Sequence, residues 1–249
     1  MRLLMTLLVL LLAPLPALAA QVGKLKVTVL STMMADQGIG EWGYAALVEV
    51  DGRKILYDTG ARPETVLANA RDLKVDLSGI EEVVLSHHHG DHTGGFLVLR
   101  KALAAQNPKA LSRVHVAEGF FAGGGQGFRP AIPKLKADVE AMGAVFVVHK
   151  GPVEIMPGVW LTGPVPRATD EKNFPLGWKL ADGADDNVPE DMAMVFDTAE
   201  GVVALTGCGH AGVINIVKQA RGLAAGKPVL AVIGGLHLFL NTDAQLDWT

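Results

Sequence analysis

Four histidines and one aspartate fall within six consecutive positions of Ser86-His87-His88-His89-Gly90-Asp91-His92-Thr93-Gly94-Gly95. The apolar run Glu82-Val83-Val84-Leu85 just before it reads as a short buried strand, and Gly90, Gly94 and Gly95 let the backbone turn sharply after it. The histidines are therefore expected in a loop at a strand's end. Imidazole nitrogen suits zinc, iron and manganese, and the aspartate oxygen suits the harder of these. A turning loop can aim His87 and His89 at one cation and Asp91 and His92 at a second, with His88 pointing away from both. An expression tag would sit at a terminus, with neither the strand before it nor the glycine pair after it.

The first twenty residues stand apart. Arg2, a nearly unbroken apolar stretch over 3–12, Pro14 and Pro16, and the Ala17-Leu18-Ala19 end read as a secretory signal peptide over 1–20, with one domain over 21–249. This predicts a secreted or periplasmic protein with no stable membrane insertion once the leader is cleaved. Without Arg2 the formal charge moves from −4 to −5 and no basic stripe is present, so nucleic acid is not the expected partner. The expected partner is a small-molecule substrate. Cys208 is the sole cysteine and has nothing to pair with inside the chain, which leaves a buried thiol, a metal ligand or an intermolecular bridge.

Alternation predicts strands over 25–30, 45–50 and 54–57, the last two joined at Asp51-Gly52 as a hairpin. Helices are expected over 63–73, 96–105 and 211–224, and further strands over 112–117, 144–149, 159–162, 192–197, 201–206 and 228–233. The last strand, helix and strand suggest a parallel unit. Residues 118–128, rich in glycine and aromatics, read as a flap or pocket wall, and 163–189 as a long functional loop. In that loop Arg167 could grip an anionic substrate group in bidentate fashion. His210 and His237 follow strand ends in glycine-rich turns, as the first cluster does, so three distant segments are expected to converge on one rim. His115 and His149 lack that setting and read as structural.

The His-x-His-x-Asp-His pattern followed by Thr-Gly-Gly resembles the signature of the metallo-β-lactamase superfamily. Glu41-Trp42-Gly43, Tyr57-Asp58-Thr59-Gly60, Thr162 to Arg167, Thr206-Gly207-Cys208-Gly209-His210 and Gly234-Gly235-Leu236-His237 narrow the likeness to a metal-dependent hydrolase branch that includes dihydropterin ribofuranosyl-aminobenzene phosphate synthases. The resemblance implies an α/β fold, an αββα sandwich of two mixed sheets flanked by helices. It also implies two divalent metal ions, with zinc expected and manganese or iron as alternatives. His87, His89 and His210 would hold one ion, and Asp91, His92 and His237 the other. Asp58 is expected to support the loop rather than bind metal. The chain departs from the superfamily pattern where Cys208 stands at the place of a bridging aspartate. If the thiolate does not bind, Asp191 is the residue left to approach.

The expected chemistry is hydrolysis of an ester, lactone, amide or phosphoester by hydroxide generated between the two ions, with Asp91 orienting it and passing a proton to the leaving group. The rival readings are the transferase chemistry of the synthase branch, a non-catalytic metal-binding or sensing module, and a β-lactamase proper.

Overall fold

The computed structural model describes residues 21–122, 132–171, 173, 177–180, 182–238 and 241–248; the leader read over 1–20 and most of the glycine-rich segment after 122 lie outside the described residues. The strands are β1 (Leu25–Ser31), β2 (Ala45–Val50), β3 (Arg53–Tyr57), β4 (Glu82–Val84), β5 (Arg113–Ala117), β6 (Val145–His149), β7 (Val153–Met156), β8 (Val159–Leu161), β9 (Met194–Asp197), β10 (Val202–Thr206) and β11 (Val229–Gly234). The helices are α1 (Thr65–Asp72), α2 (Gly90–Thr93), α3 (Phe96–Ala104), α4 (Ile132–Ala141), α5 (Val213–Leu223) and α6 (Asp243–Trp248).

Two mixed sheets result, one ordered β1-β2-β3-β4-β5-β6 and the other β11-β10-β9-β8-β7. The hairpin of β2 and β3 is antiparallel, with Val50 opposite Arg53, and Asp51 (φ 47°) and Gly52 (φ 84°) supply the left-handed pair a tight turn needs. From β3 onward the first sheet is parallel, as are β10 and β11 in the second. Parallel strands need crossovers, which α1, α3 and α5 help provide, so the helices cover the outer faces.

This layering accounts for the burial of strands that read as continuous apolar runs. On β2, Ala45 and Leu47 face the helices with Phe96 and Leu99, while Ala46 and Val48 face the other sheet, meeting a layer with Met194, Phe196 and Leu205. A third apolar layer packs Ile216 and Ala220 of α5 on Val195 and Ala204. Each fully buried Val, Leu, Ile, Phe or Met among these contributes roughly 1.5–3 kcal/mol.

Several elements differ from the sequence reading. The histidine loop contains the short helix α2, and β7, α4 and α6 form where no element was expected, although Ile132, Leu135 and Val139 carry a helical spacing on the buried side of α4. Residues 118–122 are not a free flap: Phe120 is fully buried and packs edge-on against Phe121, so the start of the aromatic segment belongs to the core.

Candidate metal centre

The parallel strands deliver their C-terminal ends to one rim: Asp58 after β3, Ser86 to His92 after β4, Cys208 to His210 after β10, and His237 after β11. Asp58 fastens the first two together. Its carboxylate accepts hydrogen bonds from Ser86 N (2.7 Å), Ser86 Oγ (2.7 Å) and His92 Nδ1 (2.6 Å), and these contacts hold it in the left-handed region at φ 56°. Gly43 is tied to the same loop. A Cβ there would lie 2.7 Å from Ala61 N and 2.8 Å from Asp91 O, so only glycine lets this backbone pass.

Three imidazoles cluster around His87, and a fourth adjoins through His210. Ring centroids stand 4.4 Å away at His89, 4.2 Å at His92 and 4.8 Å at His210, and His237 lies 4.4 Å from His210. Their hydrogen bonds settle which nitrogen faces inward. Ser86 Oγ gives its proton to Asp58, so it accepts from His87 Nδ1 at 2.9 Å; His92 Nδ1 donates to Asp58, and His210 Nδ1 to the Asn173 carbonyl. All three therefore aim Nε2 at the cluster, with an open lone pair on His87 and His210 and a contact to Cys208 Sγ on His92. Burial opposes the His92 imidazolium, but the Cys208, Asp58 and Asp91 charges outweigh it and raise its pKa well above the ordinary value. His87 Nε2 and His210 Nε2 are buried and have no hydrogen-bond partner among the described residues. Burial, reinforced by neighbouring imidazoles, holds the pKa of both rings well below the ordinary value, which favours the neutral form a metal requires.

This donor set fits divalent cations. Ligand atoms of His87, Cys208 and His210 lie within 4.8 Å of one another, as do those of His87, Asp91 and His92. Cys208 Sγ is 3.0 Å from His92 Nε2; burial pushes its thiol upward against the opposing pull of His92. Asp191 approaches from behind. Its Oδ2 accepts from Ala211 N at 2.8 Å, its Oδ1 is buried without a hydrogen-bond partner among the described residues, and burial raises its pKa to about 7.

His88 points away, as expected from the sequence. Its ring bonds Glu190 through Nδ1 and lies 3.4 Å from Asp186 through Nε2, all three side chains being fully enclosed. Burial opposes the imidazolium, but the two carboxylates outweigh it and raise the pKa to about 9. His115 and His149 are likewise structural partners, stacked with an Nδ1 to Nε2 contact of 2.9 Å on the first sheet.

Arg167 departs from its expected role. Its guanidinium donates to the carbonyls of His210 (2.8 Å), Asn187 and Val188 (3.0 Å), so it clamps the loop behind His210 instead of offering a fork to substrate. The long loop does reach the site through Trp178, whose ring lies 5.4 Å from that of His89.

Beside the cluster opens a cavity of about 630 Å³, lined by Asp91, His92, Cys208 and His237 and by apolar side chains from residues 29–44 and 233–238. Tyr44, which borders the cavity, was not singled out in the sequence. Its hydroxyl is buried without a hydrogen-bond partner among the described residues, and burial, followed by the Asp58 charge, pushes its pKa far up. Asp186 and Glu190 also escaped notice, because nothing in an aperiodic loop marks which carboxylates will meet a histidine a hundred residues earlier.

The model of the metallo-beta-lactamase superfamily matches residues 43–226, which include the histidine loop, Cys208 and His210. The chain belongs to this superfamily. Among relatives of this metallo-β-lactamase protein is the 7,8-dihydropterin-6-methyl-4-(beta-D-ribofuranosyl)-aminobenzene-5'-phosphate synthase of Methanocaldococcus jannaschii, 30% identical over 208 residues, which span 79% of this chain and 70% of the relative. An uncharacterised protein of the same archaeon is 31% identical over 212 residues, 82% of this chain and 76% of its own length. Among solved structures, Tm1679, described as a metal-dependent hydrolase of the beta-lactamase superfamily, superposes with a TM-score of 0.72 at 26% identity, covering 90% of this chain and 81% of that one. A quorum-quenching N-acyl homoserine lactone lactonase shares the metallo-β-lactamase fold at 14% identity, with a TM-score of 0.51 and coverage of 90% and 96%.

Proposed function

We propose that this protein is an exported hydrolase that depends on two divalent cations and cleaves a small-molecule ester, lactone, amide or phosphoester. The observation that carries the reading is the fixed inward aim of Nε2 on His87, His92 and His210, next to a cavity with Asp91 on its wall. His87, His89 and His210, with ring centroids 4.4–4.9 Å apart, would hold one cation, and Asp91, His92 and His237 the other, with Cys208 beside His87 and His210 and 3.0 Å from His92 Nε2. Bound there, zinc, or manganese or iron in its place, supplies Lewis acidity that lowers the pKa of water toward 7 and polarises the scissile carbonyl or phosphoryl oxygen.

The side chains do the rest. Asp58 keeps the proton on His92 Nδ1 and thereby the orientation of that ring. Asp91, at the mouth of the cavity, orients the attacking water and carries its proton to the leaving group. The apolar wall around it limits the water that competes for these groups.

The test is metal content of protein purified without added ions, followed by a hydrolysis screen with zinc, manganese and iron. Two equivalents of metal together with metal-dependent turnover are expected; tight metal binding without turnover of any substrate supports the sensing module instead. For Cys208, cobalt substitution should give a sulfur-to-cobalt charge-transfer band that disappears in Cys208→Ser. The transferase reading is favoured by the synthase relative. Product analysis separates the two, since hydrolysis incorporates oxygen from labelled water into one product and group transfer does not.

A further inference from the structure

The wall of the cavity says which substrates its chemistry accepts. Val29, Met33, Trp42, Ile233, Leu236 and Leu238 give the cavity an apolar lining, which it shares with Asp91 and Cys208. Met33 is 60% exposed and Trp42 57%, so apolar surface borders the cavity that Asp91 also lines. The loop that carries them is held in place by buried polar groups. Asn69 receives Ile39 N at 2.7 Å and donates to the carbonyls of Leu30 and Ile39. The enclosed Glu41 carboxylate accepts from Ser31 Oγ, the backbone N–H groups of Ala61 and Arg62, and Thr65 Oγ1, at 2.7–3.0 Å. A loop braced at both ends presents its apolar residues as a preformed surface.

Charge points the same way. No lysine or arginine lines the cavity among the described residues, and the Arg167 guanidinium is engaged with carbonyls of the loop behind His210. Recognition of a phosphate or carboxylate tail relies on such cations or on a cradle of N–H groups.

We infer that this chain's substrate is an uncharged carboxylic ester or lactone whose apolar acyl part lies against Met33, Trp42 and Leu236, and that phosphorylated compounds are discriminated against. The inference rests on the hydrolase reading above and narrows it. In the reaction, water adds its oxygen to the acyl carbon, the bond from that carbon to the alkoxy oxygen breaks, and the alkoxide takes the proton that Asp91 removed from the water.

The experiment uses the metal-loaded full chain with p-nitrophenyl acetate, butyrate and hexanoate and with p-nitrophenyl phosphate. The expected result is a rise in kcat/KM of at least about tenfold from acetate to hexanoate, since each buried methylene is worth roughly a fourfold gain, with the phosphate turned over at least about a hundredfold more slowly than hexanoate. In Trp42→Ala combined with Met33→Ala, the gain from acetate to hexanoate should shrink at least threefold, while metal content and thermal unfolding stay as in the parent. A binding arm needs no turnover: neutral N-phenyl-1-naphthylamine should brighten with the parent and lose most of that signal in the double variant, and the sulfonated analogue should bind at least tenfold more weakly. Flat chain-length dependence, an equally good phosphate substrate, or equal binding of the sulfonate overturns the inference while leaving the hydrolase reading intact. Neutral-probe binding that depends on Trp42 and Met33, with phosphate but no carboxylic ester hydrolysed, overturns the inference and keeps the hydrolase reading; with neither ester nor phosphate hydrolysed by the metal-loaded chain, the inference falls together with the hydrolase reading on which it rests.

Discussion

The two sides of the candidate site are built on opposite principles. On the histidine side the supporting side chains are enclosed and tied to partners: Asp58 to Ser86 and His92, Ser86 to His87, and His88 to Glu190 and Asp186. On the apolar wall, Met33 and Trp42 stand exposed, and order comes from Asn69 and Glu41, which brace their loop. Ligands must converge to within tenths of an ångström, whereas an apolar wall needs only shape and dryness. The contrast predicts steep mutational effects on the first side and shallow ones on the second.

The largest effect is expected for Asp91→Ala, because the residue lies on the cavity and is assigned both ligation and proton transfer. Its kcat/KM should fall by roughly 10³–10⁴-fold, measured on protein whose metal content is determined in parallel. Turnover at the parent rate would break the assignment.

Next comes His88→Ala, which strands two fully buried carboxylates. Urea unfolding should show a loss of about 3–5 kcal/mol at pH 6. The loss depends on pH in a stated direction. The folded-state pKa of His88 is raised from 6.5 to about 9, so its stabilising contribution is complete below about pH 6.5 and disappears as pH climbs through 9. The stability gap between the parent and His88→Gln should therefore narrow between those limits; a gap that widened would show that the carboxylates do not govern this ring.

A smaller effect is expected for Asp58→Asn, which keeps the shape but removes the charge that orients His92. Chelator competition should show metal affinity lower by about 10–100-fold. The smallest belongs to the loop that carries the apolar wall: Met34→Ala, next to Met33 and 87% exposed, should change unfolding free energy by less than about 0.5 kcal/mol. A change as large as that of His88→Ala would erase the contrast.

Much of the sheet architecture was legible because strands buried on both faces read as unbroken apolar runs: β2 falls at 45–50 as expected, and β4 ends just before the histidines. The hairpin was legible from Asp51-Gly52, and the parallel pair β10 and β11 from the helix between them. The Arg167 reading failed for a physical reason. A guanidinium's partners are set by which carbonyls fold around it, and those of His210 and Val188 come from segments remote from it in sequence. The same holds for Glu190, 102 positions from His88. The reading of 118–128 as a flap failed at Phe120 because glycine content says nothing about where an adjacent aromatic will pack.

Residue identities and short spacings determined which ligand types this protein can offer and that they sit in turns at strand ends, because periodicity and glycine act over a few residues. Tertiary structure decided which nitrogen of each ring faces inward, that His88 serves the loop behind the site, and that the open wall is apolar. Those outcomes depend on hydrogen bonds and packing between segments a hundred residues apart, and no local pattern encodes them.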